Sequence, residues 1–166
     1  MQEAIALSQS GMDNNEGGPF GCIIVKGDEI VGRGNNKVSS SNDPTAHAEV
    51  SAIRLACRKL KTFDLSGCVI YTSCEPCPMC LSAIYWAQID SIFYANTKKD
   101  AANIGFNDSF IYDEIALSKE KRKIATRQIL KEEAKSVESA GILYKPVRSL
   151  QDIKEHTGNI IDISLP

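Results

Sequence analysis

His47, one of two histidines among 166 residues, stands two positions before a glutamate in TAHAEV, residues 45–50. Further along, SCEPCPMC at 73–80 holds three of the six cysteines. Cys77 and Cys80 are three apart at an expected helix start, so their thiols share one face. The positive end of a helix favours thiolates there. A thiolate pair calls for a soft or borderline cation, and zinc is the default. Alone, Cys-x-x-Cys also fits a redox pair or half of a structural zinc site. A structural site takes four protein ligands, and here a histidine and Cys74 are the candidates to complete one. His47, Cys77 and Cys80 make three and leave the fourth position to water, which is the catalytic arrangement.

The chemistry follows from that set. Two thiolates offset the formal charge of zinc, and the cation lowers the pKa of a bound water. Glu49, two residues from a ligand, can take the water's proton, protonate a ring nitrogen and then protonate a departing amine. His47-Ala48-Glu49 with Pro76-Cys77-Pro78-Met79-Cys80 matches the established His-x-Glu…Pro-Cys-x-x-Cys pattern of zinc deaminases. Cys74 precedes Glu75-Pro76, before the helix begins, and should point away from the other two thiols. Cys22, Cys57 and Cys68 sit in apolar runs and read as small core residues. His156 has no recognisable partner and reads as surface.

These residues need elements to hold them. Ala4, Ile5 and Leu7 have helical spacing over residues 2–10, with Gly11 following. FGCIIVK (20–26) and EIVGRG (29–34) predict a hairpin across Gly27-Asp28. In NDPTAHAEVSAIRLACRKL, Asp43 can cap a helix, Pro44 fits its first position, and apolar residues continue to Leu60. CVIYTS (68–73) and SIFYA (91–95) read as strands, with a core helix beginning near Pro76 between them. A strand is expected near 123–130 and a helix near 131–140. Strands alternating with helices predict a three-layer α/β/α sandwich: a central mixed sheet of about five strands with helices on both faces.

Length fits one domain over residues 1–166. Composition, 43% hydrophobic and 24% charged, is that of an ordinary soluble protein. A net charge of −2 and a pI of about 5.7 argue against a nucleic-acid partner. The basic residues from Lys119 to Lys135 are interleaved with Glu120, Glu132 and Glu133, as on a solvated face. The N-terminus lacks a secretory pattern, and no stretch approaches the ~20 apolar residues of a membrane span. The expected location is the cytoplasm, where six cysteines suggest metal or catalysis more than disulfides.

Residues 1 to about 130 resemble the cytidine-deaminase-like superfamily, and within it the bacterial guanine deaminases. The stretches that carry the likeness are GGPFG (17–21), NDPTAHAEV (42–50), YTSCEPCPMCLSAIYWA (71–87) and DAANIGFNDSFIYDEI (100–115). The first three are shared with branches such as the tRNA adenosine deaminases; the last discriminates. The resemblance implies an acidic residue that reads the base, and Asp108 falls at its place. Guanine offers a ring N–H and an exocyclic amine as donors, which a fixed carboxylate accepts. The bland alternative makes Asn107-Asp108-Ser109 a turn and cap. The resemblance also assigns Asn36 to a hydrogen bond with the base, Asn35 being its neighbouring alternative. Phe20 is assigned to the purine face, and Ala48 to a substrate contact. It implies Zn2+ as cofactor, a purine substrate, and a homodimer that exchanges C-terminal segments.

The tail departs from that pattern. Residues 141–166 place their last aromatic at Tyr144 and end in Leu165-Pro166, without the terminal aromatic that closes the partner's site in bacterial guanine deaminases. The leading expectation is zinc-dependent hydrolysis of guanine to xanthine and ammonia. The alternatives are a deaminase of guanosine or another aminated base, a tRNA adenosine deaminase, and a non-catalytic zinc module closed by Cys74.

Overall fold

Gly27, at φ 56°, reverses the chain between β1 (Gly21–Lys26) and β2 (Glu29–Asn35), and the hairpin forms as expected. The computed structural model describes residues 1–138. Strand β3 (Cys68–Cys74) pairs antiparallel with the other side of β1, and β4 (Ser91–Asn96) runs parallel to β3. The sheet order is β2-β1-β3-β4. The parallel pair needs a crossover, and α4 (Pro78–Trp86) supplies it.

Register shows why both faces are covered. Cys22 lies opposite Gly34 on β2 and Thr72 on β3, and successive residues of a strand point to opposite faces. On the Cys22 side lies α3 (Ala48–Leu60). A Cβ on Gly34 would run into the carbonyl of Ala48, so helix and strand backbones meet with no side chain between them. On the other side lies α1 (Gln2–Asp13), where a Cβ on Gly21 would strike the carbonyl of Ala4. The main core sits between the sheet and the α3–α4 layer, built from Cys22, Ile24, Val31, Ala52, Ala56, Leu65, Ile70 and Ile84. Cys22 and Cys68 are buried in it and Cys57 packs against it, as their apolar settings implied.

Several expectations need correction. The sheet has four strands among the described residues, not five. Residues 125–130 form no regular element, and Ile124 and Ile129 are 81% and 78% exposed. The stretch has strand-like composition, but a strand exists only where a neighbour receives its N–H and C=O groups. The helix expected from Pro44 begins at Ala48. Asp43 Oδ1 instead accepts from Thr45 N at 2.8 Å and Thr45 Oγ1 at 2.7 Å, a local turn that competes with a helical start. Gly11 does not end α1, which continues to Asp13.

Three helices were not anticipated: α2 (Val38–Ser41), α5 (Lys98–Asn103) and α6 (Ser109–Ala116). Helix α5 opens on a capping box between Thr97 and Asp100, a pattern present in the sequence. The expected helix near 131–140 is present as α7 (Lys131–Glu138). Tyr144, His156 and the tail 141–166 lie outside the described residues.

Candidate active site

Both metal-ligand segments end in the same way. His47 is the N-cap of α3 and Cys77 the N-cap of α4, each in extended backbone (φ −68°, ψ 159° and φ −66°, ψ 168°). Pro78 sets the first position of α4, where its missing N–H is no loss. The two helix N-termini therefore converge, and their unpaired N–H groups favour negative charge between them. Cys80 N lies 3.5 Å from Cys77 Sγ.

His47 Nδ1 is 3.5 Å from Cys77 Sγ and 3.5 Å from Cys80 Sγ. Zinc bonds of about 2.3 Å to sulfur and about 2.0–2.1 Å to nitrogen give a tetrahedral N···S edge of about 3.5 Å, so the three donors fit a zinc ion. No other cluster of three such donors occurs among the described residues. Cys74 is outside it: its thiol approaches the Thr97 carbonyl at 3.6 Å, and burial pushes it up to about 11. A closed four-ligand site through Cys74 is thus not built here. The Cys77 thiol is pulled down to about 4, first by the Cys80 thiol bonded to it and then by His47. Cys80 shifts upward because it shares its proton with that thiolate and is buried.

Glu49 is 6% exposed on the first turn of α3. Burial raises its carboxyl above the usual range, and Oε1 accepts from Thr72 Oγ1 at 3.1 Å. Thr72 was not singled out from the sequence. The signal was there: in Cys68-Val-Ile70-Tyr-Thr72 the polar residue falls on the inward alternation of a buried strand.

A cavity of about 460 Å³ opens on this cluster, within the range of small-ligand sites. His47, Glu49 and Cys77 line it together with Phe20, Asn36 and Asp108. Asn36 is 5% exposed, and its Oδ1 accepts from Gly18 N and Val38 N at 3.2 Å each, leaving Nδ2 as a donor. Asn35, the neighbouring alternative, turns its amide to Glu16. Asp108 is the N-cap residue of α6 and makes no side-chain cap bond, while the turn is closed by Asn107, whose Oδ1 accepts from Ser109 N at 3.0 Å. Burial raises its pKa, and the charge on Cys77 adds to the rise. Ala48 is fully buried and is not among the residues lining the cavity. Glu75, Lys98 and Phe106 are among the lining residues that were not singled out from the sequence. Glu75 and Lys98 are joined by a bond from Lys98 N to Glu75 Oε2 at 3.1 Å.

An α/β sandwich with a histidine–dithiolate cluster beside a buried carboxyl defines a zinc-dependent hydrolase. Residues 1–96 match the model of the cytidine and deoxycytidylate deaminase zinc-binding region. A guanine deaminase of Bacillus subtilis (strain 168) is 53% identical over 129 residues, 78% of this chain and 83% of that one. A crystal structure of guanine deaminase from Bacillus subtilis matches with a TM-score of 0.82 at 47% identity, covering 89% of this chain and 96% of that chain. A guanine deaminase structure from Nitrosomonas europaea gives 0.61 at 32% identity, over 64% of this chain and 62% of that one. A tRNA-specific adenosine deaminase of Aquifex aeolicus (strain VF5) is 44% identical over 81 residues, 49% of this chain and 54% of the other. The chain belongs to the cytidine and deoxycytidylate deaminase family and is a hydrolase acting on an exocyclic C–N bond.

Proposed function

We propose that the protein hydrolyses guanine to xanthine and ammonia, with His47, Cys77 and Cys80 holding zinc. One observation carries the choice of base: an acceptor, Asp108, and a donor, Asn36 Nδ2, line the same cavity as the metal ligands. The likeness to two guanine deaminases supports it. Guanine presents ring N–H donors beside ring acceptors, and the two side chains match that mixture. A base with the opposite pattern leaves buried groups unpaired, which is where large discrimination arises.

Zinc, when bound, supplies an acidified water as nucleophile. The chain's residues do the rest. Phe20 offers an apolar face for the purine ring. Asn36 and Asp108 fix the ring's orientation. Glu49, its pKa raised by burial and Oε1 held by Thr72, would take one proton of the water to a ring nitrogen and then carry the proton of the added hydroxyl to the leaving amine, which departs as ammonia. A carboxyl whose pKa lies closer to neutrality serves as acid and base in one cycle better than an exposed one.

The described elements form a single sheet and its helices, in keeping with one domain. A homodimer fits the exposed aromatic side chains of α4 and the sheet edge: Tyr85 and Trp86 are 50% and 55% exposed, Phe93 and Tyr94 40% and 48%. Apolar clusters of this kind mark association surfaces. Exchange of the C-terminal segments remains part of the proposal, as does a cytoplasmic location; no helix among the described residues is long and apolar enough to cross a membrane. The test is ammonia release from guanine, guanosine, adenine, cytosine and cytidine. Guanine is expected to dominate, and turnover of guanosine or adenine in its place would overturn the reading.

A further inference from the structure

The loop between α5 and α6, residues 104–108, carries Asp108, and Asn36, which follows β2, lines the same cavity. Phe106 joins the two. Its ring centroid lies 5.0 Å from that of Phe20 at 89°, an edge-to-face pair. Its Cζ also rests on Gly18, where an added Cβ would come within 3.0 Å of it. Gly18 N donates to Asn36 Oδ1 at 3.2 Å, and Asn36 N donates to Phe20 O at 3.0 Å. Gly18, Phe20 and Asn36 are therefore one hydrogen-bonded unit, and Phe106 seats on it.

The loop is shaped for this contact. Gly105 adopts φ 95°, a conformation other residues rarely take, and Phe106 N and Gly105 N bond to the carbonyls of Ala101 and Ala102, both at 3.0 Å. The backbone before Phe106 is thus tied to the end of α5. After it, Asn107 Oδ1 accepts from Ser109 N at 3.0 Å, a local contact that does not reach across the cavity. Phe106 is 46% exposed, which is more than a core residue allows. Its contacts fall on residues that line the substrate cavity.

We infer that Phe106 is a positioning residue: by seating on Gly18 and Phe20 it fixes Asp108 relative to Asn36 and so sharpens the choice among purine bases. The inference rests on the guanine reading for its kinetic consequences. Its mechanical content, that Phe106 immobilises the Asp108 loop, does not.

The test is a double-mutant cycle with Phe106→Ala and Asp108→Asn, read as kcat/KM on guanine in the zinc-loaded protein. F106A alone should lose about two- to twelvefold, the size of an aromatic pair. The loss should lie mainly in KM, with zinc content unchanged. F106L, which keeps apolar contact without the ring, should lose less. In the D108N background, F106A should lose by a clearly smaller factor than it does alone, at most the square root of that fold-change, because the residue it positions is already disabled. Full additivity, or a loss confined to kcat, overturns the inference. Amide exchange of residues 104–109 supplies the substrate-free arm: F106A should exchange faster there and unchanged elsewhere. Unaltered exchange overturns the inference even if guanine proves not to be the substrate. Absent guanine turnover in wild type with faster loop exchange in F106A would overturn the function and keep the positioning role.

Discussion

The two halves of the cavity are built differently. The metal half stands on the ends of regular elements: His47 and Cys77 are N-caps of α3 and α4, Cys80 is fully buried, and Glu49 is 6% exposed and bonded to a central strand. The half proposed to read the base joins the buried Asn36 to a loop between two short helices, where Phe106 and Phe110 are 46% and 57% exposed. Bond-making chemistry needs its groups fixed relative to one another, and rigid element ends achieve that. Recognition of a base tolerates a looser support, since loops over a fixed scaffold carry much of the specificity in enzymes. Damage to the first half should abolish turnover; damage to the second should redistribute it among substrates.

Cys77→Ser is expected to have the largest effect, loss of zinc together with turnover, measured as metal per chain and ammonia release. Cys74→Ser should keep both, because Cys74 faces Thr97 and not the cluster. Equal metal loss in the two variants would erase the boundary drawn here. Glu49→Gln preserves shape but cannot cycle a proton, so turnover should fall by about 10²–10⁴-fold while zinc stays bound. Near-normal activity in that variant would move the proton work to Asp108.

Asp108→Asn tests the other half. It should lower kcat/KM for guanine by about 1–3 kcal/mol, with metal content intact and a smaller loss on any secondary substrate. A proportionate loss on both substrates would place Asp108 with Glu49 rather than with the base. The metal-free protein offers a chemical contrast. After chelation, the Cys77 thiol, at about 4, is ionised at pH 6, whereas Cys74, at about 11, is not. Iodoacetamide at pH 6 should therefore label Cys77 and spare Cys74, and mass spectrometry of the digest reads the ratio. Comparable labelling would mean that the thiols are not distinguished by their surroundings. The smallest effect is expected from Thr72→Val, which removes the hydroxyl bonded to Glu49 Oε1: about 1 kcal/mol in kcat, with KM for guanine little changed.

Much of the metal half was legible before any coordinates. Cys77 and Cys80 are near neighbours in the chain, and a proline-marked helix start fixes how their thiols relate. Glu49 follows His47 by two residues. Residue type and short spacing carry that information, because local geometry follows from local sequence. The same holds for the hairpin, for α3 beyond its first turn, and for the parallel pair β3–β4 inferred from strand–helix–strand alternation.

What the sequence left open depended on residues far apart. Asp43 is a local exception: its carboxylate closes a turn with Thr45, two residues on, and α3 starts only after His47. Residues 123–130 have the composition of a strand, yet a ladder requires a partner, and composition does not name one. That Thr72 holds Glu49, 23 positions away, and that Phe106 seats on Gly18 are facts of packing. The sequence by itself pointed to the candidate ligands, to the carboxyl proposed to carry protons and to the layered fold, because short-range spacing and side-chain chemistry suffice for that much. Only the tertiary structure decided that Asn36 and Asp108 line the same cavity as His47 and Cys77, because that depends on the close approach of α3 to Gly34 and on the packing of Phe106 against Gly18 and Phe20.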